Sequence, residues 1–433
     1  MTINSLIKNL IGVKGLKIDD VKQDTIKGYT EFIARVSLSR SKSGKCPICQ
    51  KKCPGYDHTT ENRRWRCLDL AGNLFYIECT VKRVCCREHG ILTEEVPWAS
   101  HRSSFTYTFE EMVTWLAIHL TKKDTSQLMR INWRTVGEIV SRTKERIEPD
   151  VKVRWNNLKR IGIDETSYKK GHKYLTVVVD HDTNQVVWVA PGHDYQTLSK
   201  FFEQLSEEQR ESIDVVSCDG AKWIKKAVCE YLPNAYICID PFHVICWAED
   251  AMDELRKTFL SEERKAKKSS KRTVKGRPKK GATTYNSTNY KNLQDGKYSL
   301  GKNPENLTLH QQSVVEEIRL TFPKLYKAYE LKEGLRAVFR TSAELVEGEL
   351  NKWLWWASHS KNEAFVKLSK KIRERKEQIL ATVRLNISNA RIESTNNKIK
   401  VLIRKSYGFK NISNLIDMIL LVCSNLPIPL PYC

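Results

Sequence analysis

Arg160-Ile161-Gly162-Ile163-Asp164-Glu165-Thr166 is the stretch on which the fold turns. An apolar run that stops on an acid reads as a core strand whose carboxylate sits at a sheet edge, where an open α/β sheet holds its ligands. His172 to Val179 is a dense β-branched run, Asp180-His181-Asp182-Thr183-Asn184 is turn-rich, and Gln185 to Ala190 is a second run. That order is a hairpin signature. A strand closing on an acid recurs in Asp214-Val215-Val216-Ser217-Cys218-Asp219-Gly220. A third acid, Glu393, stands far downstream in a helical stretch, Asn389-Ala390-Arg391-Ile392-Glu393-Ser394-Thr395-Asn396-Asn397-Lys398. Three carboxylates from two strand ends and a helix suit a pair of hard divalent ions. Side-chain alternation turns Glu165 to the face opposite Asp164.

Working outward, Tyr195 to Leu205 and Lys222 to Tyr231 read as helices, and Ala235 to Ile239 as a further strand ending on Asp240-Pro241-Phe242-His243. Strand, hairpin, helix, strand, helix, strand is the order of a ribonuclease-H-like fold. Asp240 and His243 form an accessory set able to orient a water or a ligand; a satisfied core histidine is the competing reading. From Ala248 to about Ile387 the pattern turns mainly helical, with helices over Thr308–Lys332, Ala343–His359 and Phe365–Leu385 and a polar loop over Gly281–Asn306. This insertion carries a basic run, Lys267 to Lys280, of the kind that is normally solvated. Within it Lys275-Gly276-Arg277-Pro278 resembles a minor-groove hook; Lys275 and Arg277 read as its DNA-contacting cations or, alternatively, as sequence-independent phosphate contacts.

Upstream, seven of the thirteen cysteines crowd between Cys46 and Cys86. In a long chain with no secretory signal such clustering points to a metal rather than to disulfides. Cys46-Pro47-Ile48-Cys49 is one knuckle, and Cys86-Arg87-Glu88-His89 is its partner, giving the four N/S ligands that tetrahedral zinc wants. Cys85 is an alternative to Cys86, and Cys53, Cys67 and Cys79 are assigned to the core. Between the knuckles, Asn62–Asp69 and Leu74–Arg83 make a hairpin about Ala71-Gly72-Asn73. Arg63, Arg64 and Arg66, interleaved with Trp65, read either as phosphate contacts or as a solvated face. Tyr107–Leu120, a short helix capped by Thr125 and ending at Arg130, and Trp133–Ile147 follow helix-turn-helix grammar, which directs Arg134 and Thr135 at base edges.

The layout is therefore a multidomain α/β chain: lead-in and linker (1–45), zinc ribbon (46–100), helix-turn-helix (101–152), ribonuclease-H-like catalytic domain (153–247 and 388–433) and the helical insertion between (248–387). Seventy-three Lys and Arg against 51 Asp and Glu leave a net charge of +22, an excess that favours polyanions, nucleic acid first among them. No apolar run approaches the ~20 residues a bilayer span needs, so a membrane role is excluded and a cytoplasmic location expected.

Taken together, the cysteine knuckles, the helix-turn-helix, Gly162-Ile163-Asp164-Glu165, Ser217-Cys218-Asp219-Gly220, Asp240-Pro241-Phe242-His243, Arg391-Ile392-Glu393-Ser394-Thr395-Asn396-Asn397 and Ile403-Arg404-Lys405-Ser406-Tyr407-Gly408-Phe409-Lys410-Asn411 resemble the ISL3 family of bacterial insertion-sequence transposases. The likeness runs from about Cys46 to Leu421. It departs at Cys86-x-x-His89, where a second Cys pair is more usual. The resemblance implies a DDE enzyme that cuts and rejoins double-stranded DNA at the inverted-repeat ends of an element and joins them to target DNA. It implies Asp164, Asp219 and Glu393 as the catalytic triad on Mg2+ or Mn2+, beside Zn2+ in the ribbon. Lys398, Arg404 and Lys405 read either as grips on the DNA backbone or as a solvated helix face, work on two ends calls for a dimer or larger assembly, and the site of action is the bacterial nucleoid. Two other readings compete: a zinc-dependent DNA-binding or repressor protein with an inactive nuclease-like domain, and a structure-selective nuclease without strand transfer.

Overall fold

A computed structural model describes residues 3–13, 16–26, 29–272 and 287–429. The chain divides into two compact units, Met1–Val151 with Val401–Cys433, and Lys152–Lys400. Among the described residues no helix is long and apolar enough to cross a membrane.

The first unit begins with α1 (Ile3–Ile11), β1 (Leu16–Ile26) and β2 (Tyr29–Leu38), followed by β3 (Gly55–Arg66), β4 (Leu74–Cys86) and β5 (Gly90–Thr93). The sheet order is β1-β2-β4-β3, with β5 also on β4. The expected lead-in is thus half of the sheet: β2 runs parallel to β4 from Glu31 opposite Leu74 to Val36 opposite Cys79. Ala34 and Val36 share one core with Trp65, Ile77 and Cys79. Phe32–Val36 lies in a strand that pairs with neighbouring β1 on one edge and, on the other, with β4 some forty residues away, beyond the reach of local pattern. The β3–β4 hairpin forms where expected. At its turn Ala71 and Gly72 both take positive φ, 47° and 81°, and the amides of Leu70 and Asn73 bond to each other's carbonyls. Two left-handed residues twist the turn in the sense of the flanking strands.

Three helices follow, α2 (Tyr107–His119), α3 (Lys122–Leu128) and α4 (Trp133–Ile147). The cap of α3 is Thr121, whose side chain accepts from Asp124 N; Thr125, expected in that role, is buried inside the helix. Asn132 caps α4, and Val136, Ile139 and Val140 form its buried stripe.

The second unit opens on β6 (Arg160–Lys169), β7 (Lys173–Asp180) and β8 (Gln185–Pro191), then α5 (Tyr195–Gln204), α6 (Glu207–Glu211), β9 (Val215–Cys218), α7 (Lys222–Tyr231) and β10 (Tyr236–Ile239). The sheet order is β10-β9-β6-β7-β8; β10, β9 and β6 are mutually parallel, and the β6–β7–β8 meander is antiparallel. Helices then take over: α8 (Pro241–Arg272), α9 (Ser287–Gly301), α10 (Leu309–Thr321), α11 (Pro323–Val338), α12 (Val346–Ser358), α13 (Glu363–Arg373), α14 (Lys376–Arg384) and α15 (Ala390–Lys405). Most of the expected polar loop over 281–306 is helical, because Leu293 and Leu300 sink into a core with Ile318, Leu325, Leu335, Trp353 and Phe365. The single helix expected over Thr308–Lys332 breaks at Phe322, where Pro323 restarts it, proline being tolerated at a first helical turn but not inside one. Phe365–Leu385 likewise divides into α13 and α14. Lys275 and Arg277 lie outside the described residues.

Helix α15 lies close on β6. A Cβ at Gly162 would stand 2.0 Å from Ile392 Cδ1 and 2.8 Å from His181 Nε2, so only glycine admits the helix at this distance. Asp240 ties the same helix to the end of β10. Its Oδ1 accepts from Phe242 N at 2.9 Å, opening α8, and its Oδ2 accepts from Asn389 N at 2.9 Å, just before α15. The segment 388–433, expected as one piece, is shared between the units at Lys400/Val401. In the first unit α16 (Ile412–Cys423) packs on α4 and α2; Asp417 accepts from Ser141 Oγ at 2.5 Å and Asn414 donates to Gly137 O at 3.2 Å.

Two substitutions test this docking. Gly162→Ala is expected to lower stability by about 1–3 kcal/mol through overpacking, read as a shifted urea midpoint. Asp240→Ala strands the buried Asn389 amide and removes the bond to the Phe242 amide, and is expected to cost about 1–3 kcal/mol; a midpoint unchanged within error would show that the Asp240 bonds do not hold α15.

Candidate active site and metal centre

Strand register builds the acidic edge. Gly162 on β6 lies opposite Ser217 on β9, and Ile239 on β10 lies opposite Cys218. Continuing those ladders sets Asp164 level with Asp219 and Asp240, which directly follow β9 and β10; β6 itself does not stop on its acid but runs on to Lys169, paired with β7. Glu393 comes from the first turn of α15. Asp164 Oδ1 accepts from Glu165 N at 2.8 Å, and its Oδ2 accepts from Asn396 Nδ2 at 2.6 Å. Asn396 follows Glu393 by three residues, hence on the same helical face. It is 5% exposed, and its Oδ1 is buried with no hydrogen-bond partner.

Burial pushes the Asp164 carboxyl above its ordinary range; the Glu165 amide and His243 oppose the rise, and Asp219 and Glu393 add to it. Glu165 belongs to the other face, where it accepts from Trp223 Nε1 at 3.1 Å. Burial raises its carboxyl too, with Asp219 reinforcing the shift. Two neighbouring acids whose carboxyls burial raises mark a place where positive charge is wanted. Asp240 is consumed by its two backbone amides, and His243 is half-buried within the field of Asp164. His181 is a satisfied buried histidine: Nε2 lies 2.7 Å from Ser217 Oγ, and its carbonyl accepts from Arg391. The sequence reading gave Asn396 no role; the available signal was an amide one turn beyond a helical glutamate.

Among the described residues, a different set has its ligand atoms all within 4.8 Å of one another: Cys46, Cys49, Cys86 and His89. Cys49 and Cys86 sulfurs are 3.7 Å apart, and His89 Nδ1 lies 3.5 Å from Cys86 Sγ and 3.8 Å from Cys46 Sγ. Metal–sulfur bonds of about 2.3 Å at tetrahedral angles separate two sulfurs by roughly 3.8 Å, so the spacings are those of one four-coordinate ion. The His89 hydrogen bond, then the Glu88 backbone, hold the Cys86 thiol down to about 6, favouring the thiolate that binds metal. Cys85, the alternative ligand, faces solvent. Buried Glu94 fastens the first knuckle: it accepts from Ser43 Oγ, Gly44 N and Lys82 N at 2.9, 2.7 and 2.9 Å. Cys67 and Cys79 are core residues whose thiols burial pushes up to about 12; Cys53 is only half-buried.

The cations expected on DNA divide into free and engaged. Arg134 is exposed, its guanidinium 5.7 Å from the centre of the Trp133 ring, and Thr135 is half-buried beside it. Lys398 and Arg404 are exposed. Lys405 donates to Ile118 O at 2.6 Å, and burial lowers its pKa. Arg64 is bound to Glu78 at 2.6 Å and Arg66 to Asp69 at 2.6 Å, while Arg63 lies over the Trp65 ring.

Comparison with known proteins matches these elements to a family. A model for the ISL3 DDE transposases, described as a transposase, covers residues 161–419, and one described as the helix-turn-helix domain of transposase family ISL3 covers residues 94–143. The transposase for insertion sequence element IS1557 of Mycobacterium tuberculosis is 40% identical over 96% of this chain and 94% of its own length. The transposase for insertion sequence element IS1001 of Bordetella parapertussis is 24% identical over 95% of this chain and 96% of its own. From the sheet that carries Asp164 and Asp219 to the helix that carries Glu393, and through the helix-turn-helix before them, the chain belongs to the ISL3 family of DDE transposases.

Proposed function

We propose that this transposase binds the inverted-repeat ends of its insertion sequence, cuts a strand at each end by metal-dependent hydrolysis, and joins the freed 3′-hydroxyls to target DNA. We assign the sheet that holds the acids to the ribonuclease-H-like class; the three adjacent parallel strands and the antiparallel meander support this. The observation that supports the catalytic reading is the register that sets Asp164 on β6 level with Asp219 just past β9, together with the Asn396–Asp164 bond that brings the helix bearing Glu393 onto the same strand. A pure DNA-binding protein has no need of such an arrangement.

The residues fit a pair of hard divalent ions. They offer oxygen donors only, burial raises the proton affinity of Asp164 with Asp219 and Glu393 adding to it, and a buried amide oxygen of Asn396 lies unpartnered on the helical face of Glu393. Asp164, Asp219 and Glu393 would hold them. Magnesium or manganese, when bound, lowers the pKa of an attacking water or 3′-hydroxyl and offsets charge on the departing oxygen. Asn396 orients the Asp164 carboxylate, and Asp240 keeps Glu393 at the strand ends by fixing where α15 begins. In the first unit, Cys46, Cys49, Cys86 and His89 would hold a structural zinc ion, for which a closed set of three thiolates and one imidazole is suited. Arg134 and Thr135, at the start of the second helix of the helix-turn-helix pair, would meet base edges, with Lys398 and Arg404 on phosphates. Cutting two ends together calls for at least two copies on the DNA.

Asp164→Asn is expected to reduce cleavage of a duplex copied from the DNA flanking the coding sequence by about a thousandfold or more, with its affinity for that duplex unchanged. A variant that cuts at the wild-type rate would remove Asp164 from the chemistry. Purified protein is expected to carry one zinc ion per chain by elemental analysis, lost in Cys86→Ala and retained in Cys85→Ala; the reverse pattern would transfer the ligand role to Cys85.

A further inference from the structure

The helical insertion brings an unneutralised cation to the acidic edge. Trp247, two turns into α8, lies against the residue that follows Asp219: its Cζ2 and Cη2 are 3.5 Å from where a Cβ on Gly220 would sit. Over its ring stands Lys371 of α13, with Nζ 3.5 Å from the centroid, and the Arg375 guanidinium lies 5.9 Å from the same centre. Arg375 also donates to Lys371 O at 3.4 Å. Arg375 has an exposed carboxylate, Glu374, at 3.6 Å. Lys371 is half-buried, and among the described residues it makes no ion pair. Burial and the neighbouring Arg375 both lower its proton affinity, while Asp250 and Asp219 raise it.

Two cations four positions apart repel each other, and a partly desolvated ammonium without a carboxylate partner is electrostatically unsatisfied. The indole face compensates only in part. It also fixes the lysine stem, so that the charge is presented from a rigid platform rather than from a loose surface chain. What approaches this edge during the reaction is a polyanion, and it must come up to carboxylates that repel it. We propose that Lys371, supported on Trp247 and assisted by Arg375, binds a phosphate of the DNA strand next to the bond being cut. This rests on the reading of Asp219 as a residue of the cleavage site. The helical insertion then supplies a wall of that site, and Lys371 is its point charge on the substrate.

The test uses the full-length protein and the flanking-DNA duplex. Lys371→Met keeps an unbranched stem on the indole without the charge, and Lys371→Arg keeps the charge. The slope of log affinity against log salt concentration is expected to become shallower by about one in Lys371→Met, the loss of one phosphate contact. Single-turnover cleavage at saturating DNA is expected to fall by about a hundredfold, the order found when one donor to transition-state charge is removed. Lys371→Arg should restore most of both. If Lys371→Met matches the wild type in slope and rate, or loses only thermal stability, the cation is a packing staple between α8 and α13 and the proposal is overturned. Asp164→Asn separates this from the larger reading: should it cut normally, the assignment of the acids fails, while the salt slope still reports on Lys371. An inert Asp164→Asn beside an unaffected Lys371→Met brings down the lysine alone.

Discussion

The closeness of α15 to β6 is the constraint on which the second unit depends. A strand end and a helix must lie near enough for an amide on one to bond a carboxylate on the other, at 2.6 Å between Asn396 and Asp164. Gly162 makes this possible by leaving no side chain where Ile392 enters. The two contacts are two residues apart on β6, so they share a face, and Ile392, Glu393 and Asn396 occupy neighbouring positions on the helix. Apolar packing at Gly162 therefore sets the distance, and the amide at Asn396 sets the orientation. Glu165, on the other face, is held by Trp223 on α7, so each acid of the Asp-Glu pair is committed to its own side of the sheet.

The two candidate metal sites solve opposite electrostatic problems. Thiols and an imidazole can pack together without an ion, and the Cys46, Cys49, Cys86 and His89 atoms already have tetrahedral spacings. Carboxylates cannot do so at no cost, since each raises the proton affinity of the next, as Asp219 and Glu393 do for Asp164. The amide of Asn396 and the imidazole of His243 relieve part of that repulsion. A soft, closed site and a hard, open one follow from ligand chemistry, and they match a structural and a catalytic use.

Much of this was legible because it is local. The strand that ends on Asp219, the hairpin of β7 and β8, the knuckles and the three helices around Trp133 each carry their signal within a dozen residues; β6 runs past Asp164 to Lys169 because β7 stays paired with it. What was not legible depends on distant partners. The pairing of β2 with β4 makes the supposed lead-in part of the sheet, and α9 is amphipathic only against helices from further along the chain. Thr121 and Thr125 are both good caps by composition, and the choice rests on where the chain enters the helix. Asp240 read as a possible accessory acid; its two carboxylate oxygens are spent on amides, one of them 149 positions away.

That last bond explains how a site can tolerate so long an interruption. The chain leaves the sheet at Asp240 and comes back at Asn389, and one carboxylate grips both points. Thr382 Oγ1 adds a bond to Ile239 O at 2.9 Å on the return path. Ile239 itself belongs to the core of the helical insertion, so strand end and insertion are packed as one body. Closing a loop costs free energy that grows only slowly with its length, whereas a misplaced helix start would displace Glu393 directly. Pinning departure and return at the same residue makes the position of the glutamate independent of the number of helices between them. The insertion is then free to acquire residues that face the substrate, provided its two ends remain on Asp240.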